Sequence, residues 1–454
     1  MTVTVTEIGM IYVQKYLCVL LFLVSIVWST LSSAQSSEIE TEAELLVQQE
    51  SLAQQLFQDP ANIELMFAHA SVSIKLRDYE SAITTLERLL IFERDLTRVR
   101  LELGVAYFNL GSYAVARLYL NQVLQDPALP DDSRELVASY LSAIDARTAE
   151  NRLSVVVNVG TTYATNANLG PADDTVTIGG VPGFVLLANG RSQEDYGARI
   201  LVYGAHELDM GRSNDDSWNT DFSLFALRYG DVEQGNTVAA RVRTGPWLNL
   251  TDESNGLRVR PYYEGSYLNS GDETVYFGNF AGAEVVTPLT EDWLGFGDFS
   301  VGYLAYSTDR EAEDRFGVRF QAGAAVQPLR GFIGRVSLIS EYYDASEDRN
   351  SSIEFGGRLS GQYSYDPMLD FISARWALSL FADARYRIYQ SADSFIDPNR
   401  TRREFDARGG LSHLFAIDRN FGVQLDVEGF FRDANIQNFD LDNQSVTLSL
   451  QYRF

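Results

Sequence analysis

Cysteine is all but missing from this chain: one occurs, Cys18, inside an apolar stretch near the N-terminus. No internal disulfide can form, so a secreted chain of this size has to be held by burial or by a closed hydrogen-bond network. Histidine is nearly as scarce. His69, His206 and His413 share no metal-ligand spacing, and neither a metal site nor a cofactor is expected. A Gly-x-Ser-x-Gly elbow and a phosphate-cradling glycine loop are both lacking. Ser412 and His413 are adjacent, and on a strand they would point to opposite faces, so no nucleophile-base pair is read and the chain is not expected to be an enzyme. Positive charge is short as well. The 36 Lys and Arg against 62 Asp and Glu leave a net charge of −26, which excludes the basic surface that nucleic-acid binding needs. The acidic runs Asp309–Asp314 and Glu347-Asp348-Arg349 read as solvated loop charge rather than calcium sites. Past the first 28 residues no run approaches the ~18 apolar residues of a helical span, which leaves a β-barrel open, since barrel strands are apolar only at alternate positions.

What is present begins with Lys15, the apolar run 16–28 and the small residues Ser32-Ser33-Ala34. This is the pattern of a secretory signal peptide over residues 1–34, with cleavage expected after Ala34. Lys15-Tyr16-Leu17 lacks the small residue of a lipoprotein box, so no lipid is expected on Cys18.

Residues 35–150 carry apolar residues at helical spacing with Pro at boundaries, whereas 151–454 are dense in Gly and aromatics with apolar residues in alternation. In the first region Tyr79-Glu-Ser-Ala82 and Tyr113-Ala-Val-Ala116 lie 34 residues apart, and the second copy reads Leu101-x-x-Gly104-x-x-Tyr107-x-x-x-Gly111-x-Tyr113-x-x-Ala116, closing at Asp126-Pro127. That is the tetratricopeptide pattern. The first copy, which starts after Asp59-Pro60, is degenerate, with Ala70 for the helix-crossing Gly and Arg77 for the turn Gly. A further helix over about 133–150 would cover the open end of the stack. The pattern puts Glu64, Ser71, Lys75, Arg98, Val105 and Asn109 on the concave helices, where a bound client segment would meet them.

The second region cuts at turns into fourteen segments, near 153–163, 194–206, 217–229, 236–247, 257–268, 273–286, 294–306, 316–327, 331–343, 352–365, 376–389, 403–415, 420–432 and 443–454. The last alternates without a fault from Val446 to Phe454. Connectors after odd segments read as longer and more acidic than those after even ones. The polar face carries Arg199, Arg241, Arg243, Arg258, Arg260, Arg319, Arg335, Arg358, Arg385, Arg387 and Arg408 beside Glu264, Glu341, Glu354, Asp383, Asp406, Asp426 and Glu428. Each such charge would cost about 2–4 kcal/mol facing lipid at mid-bilayer, so these faces are expected to line a wet lumen. Arg241, Arg243, Arg258, Arg260, Glu341, Glu354, Asp383, Arg385 and Arg387 are the candidate lumen residues. Tyr452 and Phe454 form the candidate signal for the barrel assembly machinery.

The fold expected is thus an N-terminal tetratricopeptide α-solenoid followed by a 14-stranded antiparallel transmembrane β-barrel among outer-membrane lipids, the solenoid in the periplasm. A signal peptide, a small repeat domain and such a barrel resemble the Slam family, the surface lipoprotein assembly modulators of Gram-negative bacteria. The stretch Gly160-Thr-Thr-Tyr163-Ala-Thr-Asn166-Ala-Asn168-Leu169 is similar to the aromatic-x-x-Asn-x-Asn stretch that opens the family's barrel, with Ala164 where an Asp is expected. The resemblance implies a translocon that moves a periplasmic client, a surface lipoprotein or secreted β-rich protein, to the cell surface. An exopolysaccharide-export porin and a general diffusion porin are the alternatives.

Overall fold

The computed structural model describes residues 43–92, 96–211, 216–251, 256–271, 273–290, 292–329, 331–367 and 374–454. The signal-peptide reading lies outside them. The chain divides between Ala149 and Glu150 into two compact units.

The first unit holds six helices among the described residues: α1 (43–58), α2 (Ile63–Lys75), α3 (Tyr79–Phe92), α4 (Thr97–Asn109), α5 (Tyr113–Val123) and α6 (Asp131–Thr148). The α2/α3 hairpin recurs as α4/α5 with every start displaced by 34 residues. The helices form because their apolar residues share a stripe that only a neighbour can cover. Met66, Ala70, Leu86, Leu89, Val99 and Leu103 close one core, and Ala116, Leu120, Val123, Val137 and Ile144 the next. Gly104 is small because Leu120 crosses it: a Cβ there would stand 2.7 Å from the Leu120 side chain. The turn between paired helices needs a left-handed residue. Gly111 supplies it at φ 83° in the second copy, while Arg77 is forced to φ 59° at the equivalent place in the first. Helix α1 is an addition to the sequence reading. It presents Leu45, Gln49, Leu52 and Leu56 along one side, and Gln49 donates to Ser73 (2.9 Å) and Asp78 (2.7 Å).

The second unit is a closed barrel of fourteen antiparallel strands: β1 (Asn151–Ala164), β4 (Asp195–Asp209), β5 (Ser217–Tyr229), β6 (Thr237–Asn249), β7 (Arg258–Ser270), β8 (Glu273–Pro288), β9 (Trp293–Tyr306), β10 (Arg315–Val326), β11 (Phe332–Ala345), β12 (Ser352–Tyr365), β13 (Trp376–Ala392), β14 (Thr401–Ala416), β15 (Phe421–Ala434) and β16 (Leu441–Arg453). Each pairs with its sequence neighbour, and β1 closes on β16 from Val156↔Arg453 to Ala164↔Ser445. A separate hairpin, β2 (Thr175–Ile178) and β3 (Val181–Val185), fills part of the β1–β4 connection, where no strand was expected. Gly179 and Gly180 turn it with φ of 59° and 81°, the two left-handed residues that a tight hairpin turn requires.

The barrel is inside out relative to the helical unit. Leu338, Phe355, Leu448 and Leu450 are all at least half exposed on the outer face, while Glu264, Glu354 and Glu404 are at most 3 % exposed on the inner one. A closed strand cylinder with an apolar exterior and a charged interior is an outer-membrane barrel. The strands begin and end together at what we term the terminal end, where Asn151 enters and Arg453 leaves. The connector asymmetry expected from the sequence is only partial. At the far end 165–194 is long, but 230–236 and 346–351 are no longer than 210–216 or 366–375 at the terminal end.

Candidate functional site

Two ion-pair networks occupy the lumen. The first spans β5 to β10. Arg243 on β6 reaches Glu264 (2.7 Å), Glu284 and Asp298 (3.0 Å), and its guanidinium lies 4.0 Å over the Tyr262 ring. Arg260 on β7 bridges Asp221 (2.5 Å) and Glu284 (3.2 Å), and Arg319 on β10 takes the other oxygen of Glu264 at 2.9 Å. Tyr262 donates to Asp298 at 3.0 Å. A cavity of about 390 Å³ opens here, lined by Arg241, Trp247, Asp298 and Glu341 among others.

The second network spans β11 to β15, nearer the far end. Arg385 contacts Glu354 (2.9 Å), Asp383 (2.8 Å) and Glu341 (3.7 Å); Arg387 joins Glu354 to Glu404 (3.0 Å). Arg432 holds both oxygens of Asp406 at 2.6 and 2.8 Å, and Arg402, stacked 3.5 Å over Tyr389, lies 3.3 Å from Glu404. In the first network Arg243–Glu284, Arg243–Asp298, Arg260–Asp221 and Arg319–Glu264 tie strands that are not direct neighbours, as Arg385–Glu341 does in the second, so these contacts brace the wall as well as line it.

Every candidate lumen residue falls on this inner face. Arg243 and Arg260 enter the first network, and Glu341, Glu354, Asp383, Arg385 and Arg387 the second. Arg241 is mostly exposed, 4.0 Å from Glu264, and Arg258 rests 5.2 Å over Trp247. The sequence reading missed Asp221, Glu284, Asp298, Arg315, Arg402, Glu404 and Arg432; Arg315 and Arg402 lie one residue before the segments read for β10 and β14, while the other five lie inside theirs, where following the alternation through the segment would have found them. After Lys75 every lysine or arginine in the sequence is arginine. The guanidinium keeps its charge at any ordinary pH, donates to two carboxylates at once and stacks on rings, which is how these networks use it.

On the helical unit, Glu64, Ser71 and Lys75 lie along one exposed side of α2, and Arg98, Val105 and Asn109 along the matching side of α4. Arg98 sits 5.5 Å over Phe67, so the two sides adjoin. The Asn109 side chain donates to the Val105 carbonyl of its own helix at 2.9 Å. Nearby, burial and the Glu87 carboxylate, which accepts from Tyr107 at 2.6 Å, push the Tyr107 hydroxyl up to about 12.

The asparagines of the Tyr163-x-x-Asn166-x-Asn168 stretch have a structural task. Asn166, 1 % exposed, donates to the carbonyls of Gly170 (2.8 Å) and Asp442 (2.9 Å), accepts from Gly170 N–H (2.8 Å), and its backbone N–H reaches Asn443 (3.1 Å). Asn168 donates to Arg191 carbonyl (2.6 Å) and accepts from Gln193 N–H (2.9 Å). Together they clamp both limbs of the 165–194 loop, whose hairpin reaches the 393–400 loop through Gly179 and Gly180 N–H (2.9 and 2.8 Å) and Asn438 through Thr177 (2.6 Å). At the other end, Phe454 N–H donates to Val155 carbonyl at 2.9 Å, and the exposed Phe454 ring stands edge-on to Tyr452, centroids 4.7 Å apart. Ser412 pairs toward the lumen with Gln424 (3.1 Å), and His413 turns outward to Tyr365 (2.7 Å), so the two do not meet.

No protein-family model and no curated protein matches the chain. Among solved structures it is similar to the outer membrane channel DcaP of Acinetobacter baumannii, at 12 % identity over 67 % of this chain and 97 % of that one, TM-score 0.39. It is also similar to a BenF-like porin from Pseudomonas fluorescens Pf-5, at 8 % identity over 66 % and 99 %, TM-score 0.32. Over 26 % of this chain and 91 % of the other, it is similar to the type III secretion chaperone SycD of Yersinia enterocolitica, at 15 % identity, TM-score 0.22.

Proposed function

We propose that this protein is an outer-membrane translocon that receives a periplasmic client, a surface lipoprotein or secreted β-rich protein, on its helical domain and passes it to the cell surface at the barrel. The observation that carries this reading is the union, in one chain, of repeated helix hairpins with an exposed α2/α4 side and a fourteen-strand barrel lined with charge. Helical repeats of the tetratricopeptide kind present such sides to peptide segments. A barrel serving solute diffusion alone has no use for them. In this reading the terminal end faces the periplasm, and the exposed rings of Tyr452 and Phe454 at the end of the last strand are what the barrel assembly machinery grips. The test co-expresses the full chain with a candidate client encoded nearby and labels intact cells. Surface exposure of the client should depend on the chain and fall on reversing Lys75 and Arg98 together; client that reaches the surface equally well without the chain would refute the proposal. An exopolysaccharide-export porin is the competing reading, and export of a polysaccharide instead of a protein would favour it.

A further inference from the structure

We propose that the lumen is an anion path, taking small solutes that carry carboxylate, phosphate or sulfate groups in preference to cations, although the chain as a whole is strongly acidic. Between the strand ends, lumen carboxylates are engaged by guanidinium groups: Asp221, Glu264, Glu284 and Asp298 in the first network, Glu341, Glu354, Asp383, Glu404 and Asp406 in the second, and Asp426 and Glu428 beside Arg199 (3.8 Å) and Arg408 (2.5 Å). The converse fails. Arg258, Arg315, Arg335 and Arg358 share the inner face through their pairings, yet none has a described carboxylate within 4.0 Å.

Three of the four lean on rings instead. Arg258 lies 5.2 Å over Trp247, Arg315 is 5.0 and 5.1 Å from the Tyr306 and Tyr343 rings, and Arg358 is 4.9 Å over Phe381. A ring face orients a guanidinium without cancelling its charge. Arg335 is exposed beside Ser360. The four are staggered along the axis: Arg258 opens β7 at the terminal end, Arg335 lies near the start of β11, Arg358 is mid-way along β12, and Arg315 opens β10 at the far end. A solute crossing the barrel therefore meets uncompensated positive charge at successive depths. Low-dielectric walls focus that field, while acidic loop residues such as Asp309 and Glu311 face bulk solvent and are screened beyond about 10 Å at 0.1 M salt.

The test reconstitutes the full chain in a planar bilayer under a potassium chloride gradient. The reversal potential should show several-fold preference for chloride at 0.1 M and a much weaker one at 1 M, where screening shortens to about 3 Å. The double variant Arg335→Gln/Arg358→Gln should reduce the preference at least twofold, with Arg403→Gln, outside the lumen, leaving it unchanged. Both variants are first shown to be heat-modifiable barrels; should the double one fail to fold, Arg335→Gln alone is read. A preference for potassium, the absence of conductance, or a chloride preference indifferent to the lumen variants would overturn the proposal. Because only lumen charge is read, the result is independent of whether a client is moved.

Discussion

The helical unit and the barrel solve one problem in opposite directions. In the first, Leu86, Leu103 and Leu120 are fully buried and charges such as Lys75 and Arg98 look outward; in the second, Leu338 and Leu448 look outward and Glu264 and Glu404 are buried. The difference teaches that a core is defined by the solvent it avoids. The helical unit gains from taking apolar area out of water. The barrel, with lipid outside, gains nothing from burying leucine, and its wall depends on ladder hydrogen bonds and on charges that satisfy one another.

The sharpest way to break this symmetry is a matched pair of truncations. Leu103→Ala, in the helical core, should cost about 2–5 kcal/mol and lower the melting of the helical signal, while Leu338→Ala, on the barrel exterior, should leave barrel melting nearly unchanged. A large loss from Leu338→Ala would show that the exterior is packed rather than lipid-facing. Next in size, Glu264→Ala leaves Arg319 without a described carboxylate and takes one of three from Arg243, and should lower barrel stability by about 3 kcal/mol, the low end for a broken buried pair because Arg243 keeps two partners. Heat-modifiability on gels reads that change.

Smaller is the effect of pH on the loop clamp. Asp440, in the connection before β16, accepts from Ala172 N–H of the 165–194 loop through its backbone carbonyl at 2.8 Å, and burial, reinforced by Asp433, Asp173 and Asp442, raises its carboxyl from 3.8 to about 6. The folded loop thus holds its proton more tightly than the unfolded chain does, so its packing is strongest near pH 4, weakens as pH rises through 4 to 6, and levels off above. Amide exchange in residues 165–194 should follow that curve, and Asp440→Asn should flatten it; an unchanged slope would place the titration elsewhere. The smallest effect expected is a gain. Arg77→Gly removes the left-handed penalty and should stabilise the helical unit by about 0.5–1 kcal/mol, where the same change at an ordinary helix position would weaken it.

The reasons some elements were legible in the sequence follow from the same contrast. Fourteen strands could be counted because lipid on one side and water on the other print a period of two, and the displacement from Tyr79 to Tyr113 printed the helical repeat. Helix α1 was overlooked because its stripe of Leu45, Leu52 and Leu56 has no counterpart copy. The β2–β3 hairpin, with Pro182 and Gly183 in its second strand, carries no alternation to read. Network partners such as Arg243 and Asp298 depend on how far each strand slides past the next, which local spacing does not encode. Asn166 could be singled out but not explained, since its partner Asp442 is 276 residues away.

That separation sets an order of events. The loop held by Asn166 is among the first parts of the barrel to leave the ribosome, yet the carbonyl it must grasp is carried by the last strand. Its clamp can therefore be set only when the cylinder has closed, and the folded hairpin becomes a timestamp: a probe that recognises it in its clamped form would count finished barrels and ignore every intermediate.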